Sequence, residues 1–535
     1  MLYLKTLQKA QNYCAIFLVI SSLFLIQACG DDDDGLKDAN QPEVSFTNMS
    51  ENMSVWNTVN ISLDTKDSKS ISSIEVFIDG NLLTTLTSAP FEASWDSNTV
   101  PDGTHNIKAV VSDQAGNKTE KEIKINVQNK LVTIQIAADQ LYQEEQYQER
   151  GFVFLSDENG NVVAFTEYKN GNNVTLKSST FNGTKFYLTE VLAEVEDNYE
   201  YLRMWTFGEI ERGKNWVLFN AEEEKEIDSY VGDANLNFNG MLENYSYNIY
   251  SSDDQTQVDE LNSTATLRLS KNPSKLYVMK YLLSGEMSGP VGYKLFSNII
   301  VGENAPINLS QVTQPLTKIT ANLPEGTLYS SVELTAYPTV NDYSDKYRIG
   351  YYSSGSEKLS YDIYYPGAAF PAYFSDFYYE TEDIFYERGV TNKIFEIKNI
   401  GESANFSFTD SKLNYSASGE FDFLTAQLES DSESSEWILI LPKGNQTIPQ
   451  LKIPQELNNL DIPTFGTPHD YTFHEFDNLT NYDDLKNFIR NSTRSADELY
   501  AEGHNYIDVT HKSQSKNGRK SKNSERKHPL RTTKN

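Results

Sequence analysis

The chain is predicted to be mainly β, a series of sandwiches closed by one short C-terminal helix, and three features of its 535 residues say so. Apolar residues alternate with polar ones over short runs along most of the chain, the period that places one set of side chains on one sheet face. The runs are rich in Tyr, Phe, Val and Ile, which suit a pleated, half-buried surface. Strands do not alternate with long helical patterns, and no glycine-rich phosphate loop occurs, which argues against a nucleotide-binding α/β domain.

The length exceeds what one core serves, so several domains are expected. With 38% hydrophobic residues, 33 Tyr and 27 Phe, the chain has enough apolar surface to fold. The formal charge is −31, and residues His511–Asn535 hold nine Lys or Arg against one Glu, so that tail carries +8 and the rest −39. A body this acidic repels phosphate backbones, and nucleic acid is excluded as its partner.

Residues 1–28 place Lys5 and Lys9 before an apolar run from Tyr13 to Ile26, the layout of a secretory signal. The run is short for a bilayer span, which needs about 20 residues. Leu25-Ile26-Gln27-Ala28-Cys29-Gly30 resembles the lipobox of bacterial lipoproteins. The resemblance implies cleavage before Cys29 and a lipid on its sulfur, with the membrane as partner through that lipid. Cys14 lies in the removed segment, so the mature chain keeps no free thiol, and disulfides, thiolate nucleophiles and cysteine metal sites are excluded.

Residues 29–41 form an acidic tether, with Asp31 to Asp34 in a row. An acidic run just after the lipidated cysteine resembles the export signal of Bacteroidetes-type lipoproteins. It implies display on the outer face of the outer membrane; a plain solvated spacer is the alternative.

Residues 42–128 read as a small antiparallel sandwich. Val59, Ile61 and Leu63 alternate with polar residues, as do Ile74, Val76 and Ile78, then Phe91, Ala93 and Trp95, then Ile107, Ala109 and Val111, then Ile123, Ile125 and Val127. Asp79-Gly80-Asn81, Pro101-Asp102-Gly103 and the stretch Asp113 to Asn117 supply turns, at the strand spacing of an Ig-like β-sandwich. With Ala89-Pro90-Phe91, these motifs in this order resemble a bacterial Ig-like domain of surface proteins. That implies a spacer or interaction module and no chemistry. His105 is expected to be structural, at a strand entry.

Residues 130–305 continue as a β-rich domain. Phe152 to Leu155 turns at Asp157-Glu158-Asn159-Gly160-Asn161 into Val162-Val163, a hairpin. Asp157, Asn159 and Asn161 imitate the start of a calcium loop, but Val162 and Tyr168 occupy the positions that need Gly and Glu. Strands follow at 199–207, 216–219, 264–269 and 277–283. Pro306 and Pro315 mark a boundary.

A second β-rich, Tyr-rich domain covers 318–465. Between Tyr351 and Tyr386 stand thirteen Tyr or Phe with carboxylates interleaved. Tyr361, Tyr364, Tyr365, Tyr373, Tyr378 and Tyr379 are the candidate ligand residues: their rings suit the C–H faces of sugars, while Asp376, Glu380, Glu382 and Asp383 accept hydroxyl hydrogen bonds. Cross-strand aromatic pairing inside a sandwich, adding about 0.2–1 kcal/mol a pair, is the competing reading. Strands are expected at 406–408, 413–417, 421–423 and 437–441, and Pro442, Pro449, Pro454 and Pro463 then mark an extended exit. Residues 466–510 form a short helical segment: Asn481 caps, Asp483 and Asp484 suit the first turn, and Leu485, Phe488 and Ile489 share a face. Ser495 and Glu498 fit a second cap. Residues 511–535 form a disordered basic tail.

Catalytic signals are absent. His469, His474 and Glu475, with His504, do not share a helical face, so no metal site and no cofactor are expected. Gly401-Glu402-Ser403-Ala404-Asn405 lacks the second glycine of a nucleophile elbow. The reading is a lipid-anchored, non-catalytic cell-surface protein for binding or adhesion at the outer membrane, with polysaccharide as ligand. A surface hydrolase acting on glycans and a structural or assembly lipoprotein stay open as alternatives.

Overall fold

The computed structural model describes residues 40–512 except 68–69, 144–146, 197–198, 219–229, 253, 260–261, 284–288, 341–342, 344–345, 356–357, 431–434, 492–498 and 501–503. The signal-like segment, Cys29, nearly all of the tether, the Ser495–Glu498 cap and the tail beyond Lys512 lie outside the described residues. The fold is mainly β, with several packed sheets and one α-helix among the described residues.

Two compact units make up the described chain, one of residues 40–51, 60–94 and 105–124 and one of 52–59, 95–104 and 125–512. In the first, Ile71–Ile78 and Asn81–Leu86 form a hairpin whose turn places Asp79 and Gly80 at φ 47° and 80°. Gly103–Asp113 pairs with the outer side of that hairpin, and Glu43–Phe46 pairs with Thr58–Lys66 in a second sheet. The alternating positions Ile61, Leu63, Ile74, Val76, Ala93, Ile107, Ala109 and Val111 are the buried ones, as period two requires. His105 is structural: its Nδ1 lies 2.6 Å from an Asp79 carboxylate oxygen.

The second unit is built on a twelve-stranded sheet. In spatial order it runs Val162–Tyr168, Tyr147–Ser156, Lys185–Glu196, Tyr199–Glu211, Ser435–Pro442, Phe423–Glu429, Asp470–Phe476, Tyr506–His511, Ile384–Thr391, Ala372–Glu380, Tyr329–Tyr337, Tyr347–Ser354. Its pairs are antiparallel except for Tyr199–Glu211 beside Ser435–Pro442. One sheet therefore draws strands from both sides of the proline-marked boundary at 304–317. Alternation fixes which face a residue occupies and leaves the neighbouring strand open.

Residues 466–510 depart from the expected helical segment. They hold the helix Tyr482–Asn491, but Asp470–Phe476 and Tyr506–His511 are interior strands of the sheet. The helix itself is as read: the Asn481 side-chain oxygen accepts the Asp483 and Asp484 amides at 2.8 and 3.1 Å, and Leu485 and Ile489 are buried. The proline-rich exit also contains a strand, Gly444–Pro449. It lies at the edge of a three-stranded sheet with Lys412–Ser418 and Ser403–Thr409, where prolines are tolerated.

Both faces of the large sheet are covered over much of their area. On the first face Phe154, Met204, Leu439, Phe473 and Phe377 pack with Leu413, Tyr415 and Ile448 of the three-stranded sheet. On the second face Phe207, Ile440, Phe423, Phe476, Tyr506 and Phe374 pack with Leu485 and Ile489 of the helix and with Val132, Leu176 and Trp216 of another three-stranded sheet. Residues 232–312 make a separate sandwich with its own core of Leu236, Ile249, Val278 and Ile307.

Candidate functional site

Moving along the strands away from the helix, the second face changes from apolar to polar. Register sets His474, Asp508, Glu387, Tyr378 and Ser331 side by side on five neighbouring strands. The His474 ring packs beside both Phe423 and Phe476, with centroids at 4.8 and 6.3 Å and near-parallel planes. Its Nδ1 is 2.6 Å from Asp508 Oδ1 and its Nε2 is 2.9 Å from Thr425 Oγ1.

Hydroxyl, imidazole and carboxylate follow here in the order of an acyl-transfer relay. Burial forbids that chemistry: Thr425, His474 and Asp508 are 2%, 0% and 1% exposed, so no substrate atom reaches the hydroxyl. The chain is a sealed cross-link that satisfies three buried polar groups across three strands.

One row nearer the helix stand Tyr506, Gly389, Asp376 and Glu333. Gly389 has no side chain, and the Tyr506 ring occupies the space its Cβ would need, 2.2 Å from Tyr506 Cε1 and 2.6 Å from Phe374 Cζ. The ring can therefore lie across that strand. Its hydroxyl lies 3.0 Å from Asp376 Oδ1 and 3.1 Å from Glu387 Oε1, so two carboxylates share the one proton it can donate.

Beyond these groups lies an aromatic row at the end of the sheet. Tyr329 and Tyr378 have centroids 5.7 Å apart and Tyr378 and Phe385 5.4 Å apart, with planes tilted by 33° and 32°. The Tyr329 and Tyr351 hydroxyls meet at 3.0 Å, and this bond, more than burial, raises the Tyr351 pKa. Tyr329, Tyr378 and Phe385 are half-buried, while Tyr351 on the edge strand is 61% exposed. Rings tilted in this way do not share one plane, and the outer ring, Tyr351, offers the most surface. Glu333, paired with Arg348 at 3.2 Å, and Glu380, paired with Lys512, border the row.

Of the six tyrosines picked from the sequence, Tyr378 alone belongs to this row. Tyr373 and Tyr379 sit on the opposite face, 7% and 9% exposed, inside the large apolar cluster. Tyr361 and Tyr365 pack against that cluster from the strand Ser360–Tyr365, through a 3.1 Å contact of Tyr361 with Ser330 and an edge-on contact of Tyr365 with Tyr373. Burial pushes the Tyr361 and Tyr379 hydroxyls up to about 12. Tyr364 is half-buried, and its carbonyl takes the Tyr352 hydroxyl. Tyr329, Tyr351 and Phe385 join Tyr378 only through strand register, which no local motif reports. Asp376 and Glu380 lie on the polar face, whereas Glu382 and Asp383 are exposed in the turn that follows.

The weaker motifs resolve plainly. Glu475 projects from the opposite face to His474 and pairs with Lys398 at 2.6 Å, His469 is exposed, and His504 lies 3.6 Å from Asp477. Among the described residues no group of three His, Cys, Asp or Glu is placed to hold a metal. Ser403 begins a strand, not a strand-to-helix turn. The Asp157 carboxylate accepts the Asn159 and Asn161 amides at 2.9 and 2.7 Å, closing the hairpin turn.

Comparison with known proteins places the N-terminal region. Residues 42–109 match the bacterial Ig domain family. The rest of the chain has no family match, and no curated protein matches it. Among solved structures, the fibronectin(III)-like modules of Clostridium thermocellum CbhA are 22% identical, covering 16% of this chain and 96% of theirs, with a TM-score of 0.14. SGBP-B of the Bacteroides ovatus mixed-linkage glucan utilization locus, solved with a mixed-linkage heptasaccharide, is 12% identical over 61% of this chain and 97% of its own, TM-score 0.16. The Bacillus anthracis TIE protein is 12% identical over 66% and 73%, TM-score 0.16.

Proposed function

We propose that this chain is a lipid-anchored binding protein of the bacterial cell surface, held to the outer membrane through Cys29, whose tyrosine and carboxylate face takes a neutral polysaccharide. The observation that carries the reading is the half-open row of Tyr351, Tyr329, Tyr378 and Phe385 on a sheet whose faces are otherwise largely covered. Tyrosine rings supply rigid contact area with hydroxyl tips, and Glu333, Asp376, Glu380 and Glu387 beside them accept hydrogen bonds from sugar hydroxyls. The same carboxylates repel uronic acids and sulfated chains. In this reading residues 29–41 tether the chain, residues 42–128 act as a spacer, and the Tyr-rich end of the large sheet is the binding part.

Electrophoresis of the soluble chain from Pro42 in gels containing neutral β-glucan, mannan or galactan tests this. Retardation in at least one neutral gel and none in polygalacturonate is expected; no retardation in any neutral gel overturns the ligand class. Replacing Cys29 by Ala should release the full-length protein from membranes, and retention of tight membrane association refutes the anchor.

A surface hydrolase is the second reading, favoured by Asp376 and Glu387, whose carboxylates share one tyrosine hydroxyl and so lie as near one another as glycosidase pairs do. Release of reducing ends that is abolished by Glu387→Gln would select it.

A further inference from the structure

Gly208 and Glu209 form a β-bulge whose purpose the sheet does not explain. Phe186 pairs with Ile210 and Leu188 with Phe207, so two residues of one strand stand opposite Tyr187 alone. Glu209 adopts φ 56°, a left-handed conformation that glycine reaches at lower cost. What glutamate adds there is its carboxylate.

The bulge is held in place from the other side of the sheet. The buried Tyr482 hydroxyl lies 2.9 Å from the Gly208 amide and 3.1 Å from its carbonyl, and Lys486 Nζ donates to the Glu209 carbonyl at 3.3 Å. Bulges fixed in this way re-aim side chains beside functional sites.

Glu209 is aimed at a cavity of about 320 Å³ between the large sheet and the three-stranded sheet. Leu439, Leu441 and Ile448 give it an apolar floor, and Tyr187, Glu209 and Gln446 give it polar walls. The volume falls at the small end of ligand sites, which run from about 300 to 1,000 Å³. Glu209 pairs with Lys185 at 3.2 Å, so the walls carry no excess charge to select an ion. Tyr187 is half-buried, and burial together with Glu209 pushes its hydroxyl up to about 12, which keeps it a neutral donor. One apolar side, one aromatic ring and a few acceptors and donors at the rim are the complement of a single uncharged sugar ring.

We infer that the cavity behind the Gly208–Glu209 bulge binds one neutral pyranose residue, at a site separate from the Tyr351 row and independent of it. Saturation-transfer NMR on the soluble chain from Pro42, with methyl glucoside, methyl galactoside, methyl mannoside and the charged methyl glucuronide as probes, tests the inference. At least one neutral glycoside should give transfer and the glucuronide none. Gln446→Trp, which fills the mouth, should abolish the signal, and Glu209→Ala should weaken it about tenfold, the effect of one lost hydrogen bond to a charged group. Tyr351→Ala should leave it unchanged even where polysaccharide binding is lost, which separates failure of this site from failure of the tyrosine face. No transfer from any neutral glycoside, or transfer that survives both Gln446→Trp and Glu209→Ala, overturns it. Thermal melting of each variant shows whether it is folded, and if Gln446→Trp does not fold, the Glu209→Ala result alone decides.

Discussion

Gly389→Ala tests the geometry of the polar face most sharply. The new Cβ would lie 2.2 Å from Tyr506 Cε1 and 2.6 Å from Phe374 Cζ, whereas carbon atoms pack at about 3.5–4.0 Å, so the rings must move by more than about 1 Å. Both belong to interior strands, and Tyr506 is 1% exposed, so neither can swing into solvent. Overpacking of this kind costs about 1–3 kcal/mol. Displacing the ring also pulls its hydroxyl, whose single proton Asp376 and Glu387 share, from both groups, and a hydrogen bond to a charged group contributes about 1.5–3 kcal/mol, with partial compensation by water at these half-buried carboxylates. A loss of about 3–5 kcal/mol is expected, read as a fall in urea midpoint at constant slope. In the background of Tyr506→Ala, where the ring is gone, the same substitution should cost about 1–3 kcal/mol less than in the wild type. A Gly389→Ala variant as stable as the wild type, or strict additivity in the cycle, would refute the account of how Tyr506 bridges the two carboxylates.

Asp422 lies above the usual carboxylate pKa because burial disfavours its charge and Glu475 and Asp484 add to that, against the Phe476 amide at 2.8 Å. A raised folded-state value means the favourable contribution exists below the ordinary Asp pKa and is lost as pH rises through the raised one. Asp422→Asn keeps an acceptor for Phe476 and should be more stable than the wild type at neutral pH, with the gap closing below about pH 4; thermal melts across pH that show the reverse trend contradict this. Arg203, 4% exposed, is ion-paired with Glu436 and lies over the Tyr201 and Trp205 rings. Arg203→Met should cost about 3–5 kcal/mol by stranding the carboxylate, and Arg203→Met with Glu436→Met should recover most of it; equal urea midpoints for single and double variants would count against this. Leu485→Ala, at a fully buried helix position, should cost about 2–5 kcal/mol in the same assay.

Local rules carried the sequence reading as far as faces and turns. Ile61, Ile74, Val76 and Ile107 alternate in the sequence and are buried in the structure, Asp79-Gly80 and Asp157 to Asn161 turn where their chemistry says they should, and Asn481 caps its helix. Pairing across long separations was not legible. Nothing local tells Leu202 that Ser435 lies beside it, or joins Glu387 to Asp508. That is why the candidate site came through only at Tyr378 and the acidic residues near it. Tyr378 and Tyr379 are identical in sequence terms, and one residue of register sends the first to the polar face and the second into the core.

Whether the row of Tyr351, Tyr329, Tyr378 and Phe385 binds neutral polysaccharide is decided by titration calorimetry of the soluble chain with whichever neutral chain retards it. Replacing Tyr351 and Tyr378 together by Ala should weaken binding at least about tenfold while the melting temperature changes little. Undiminished affinity in that double variant would contradict it.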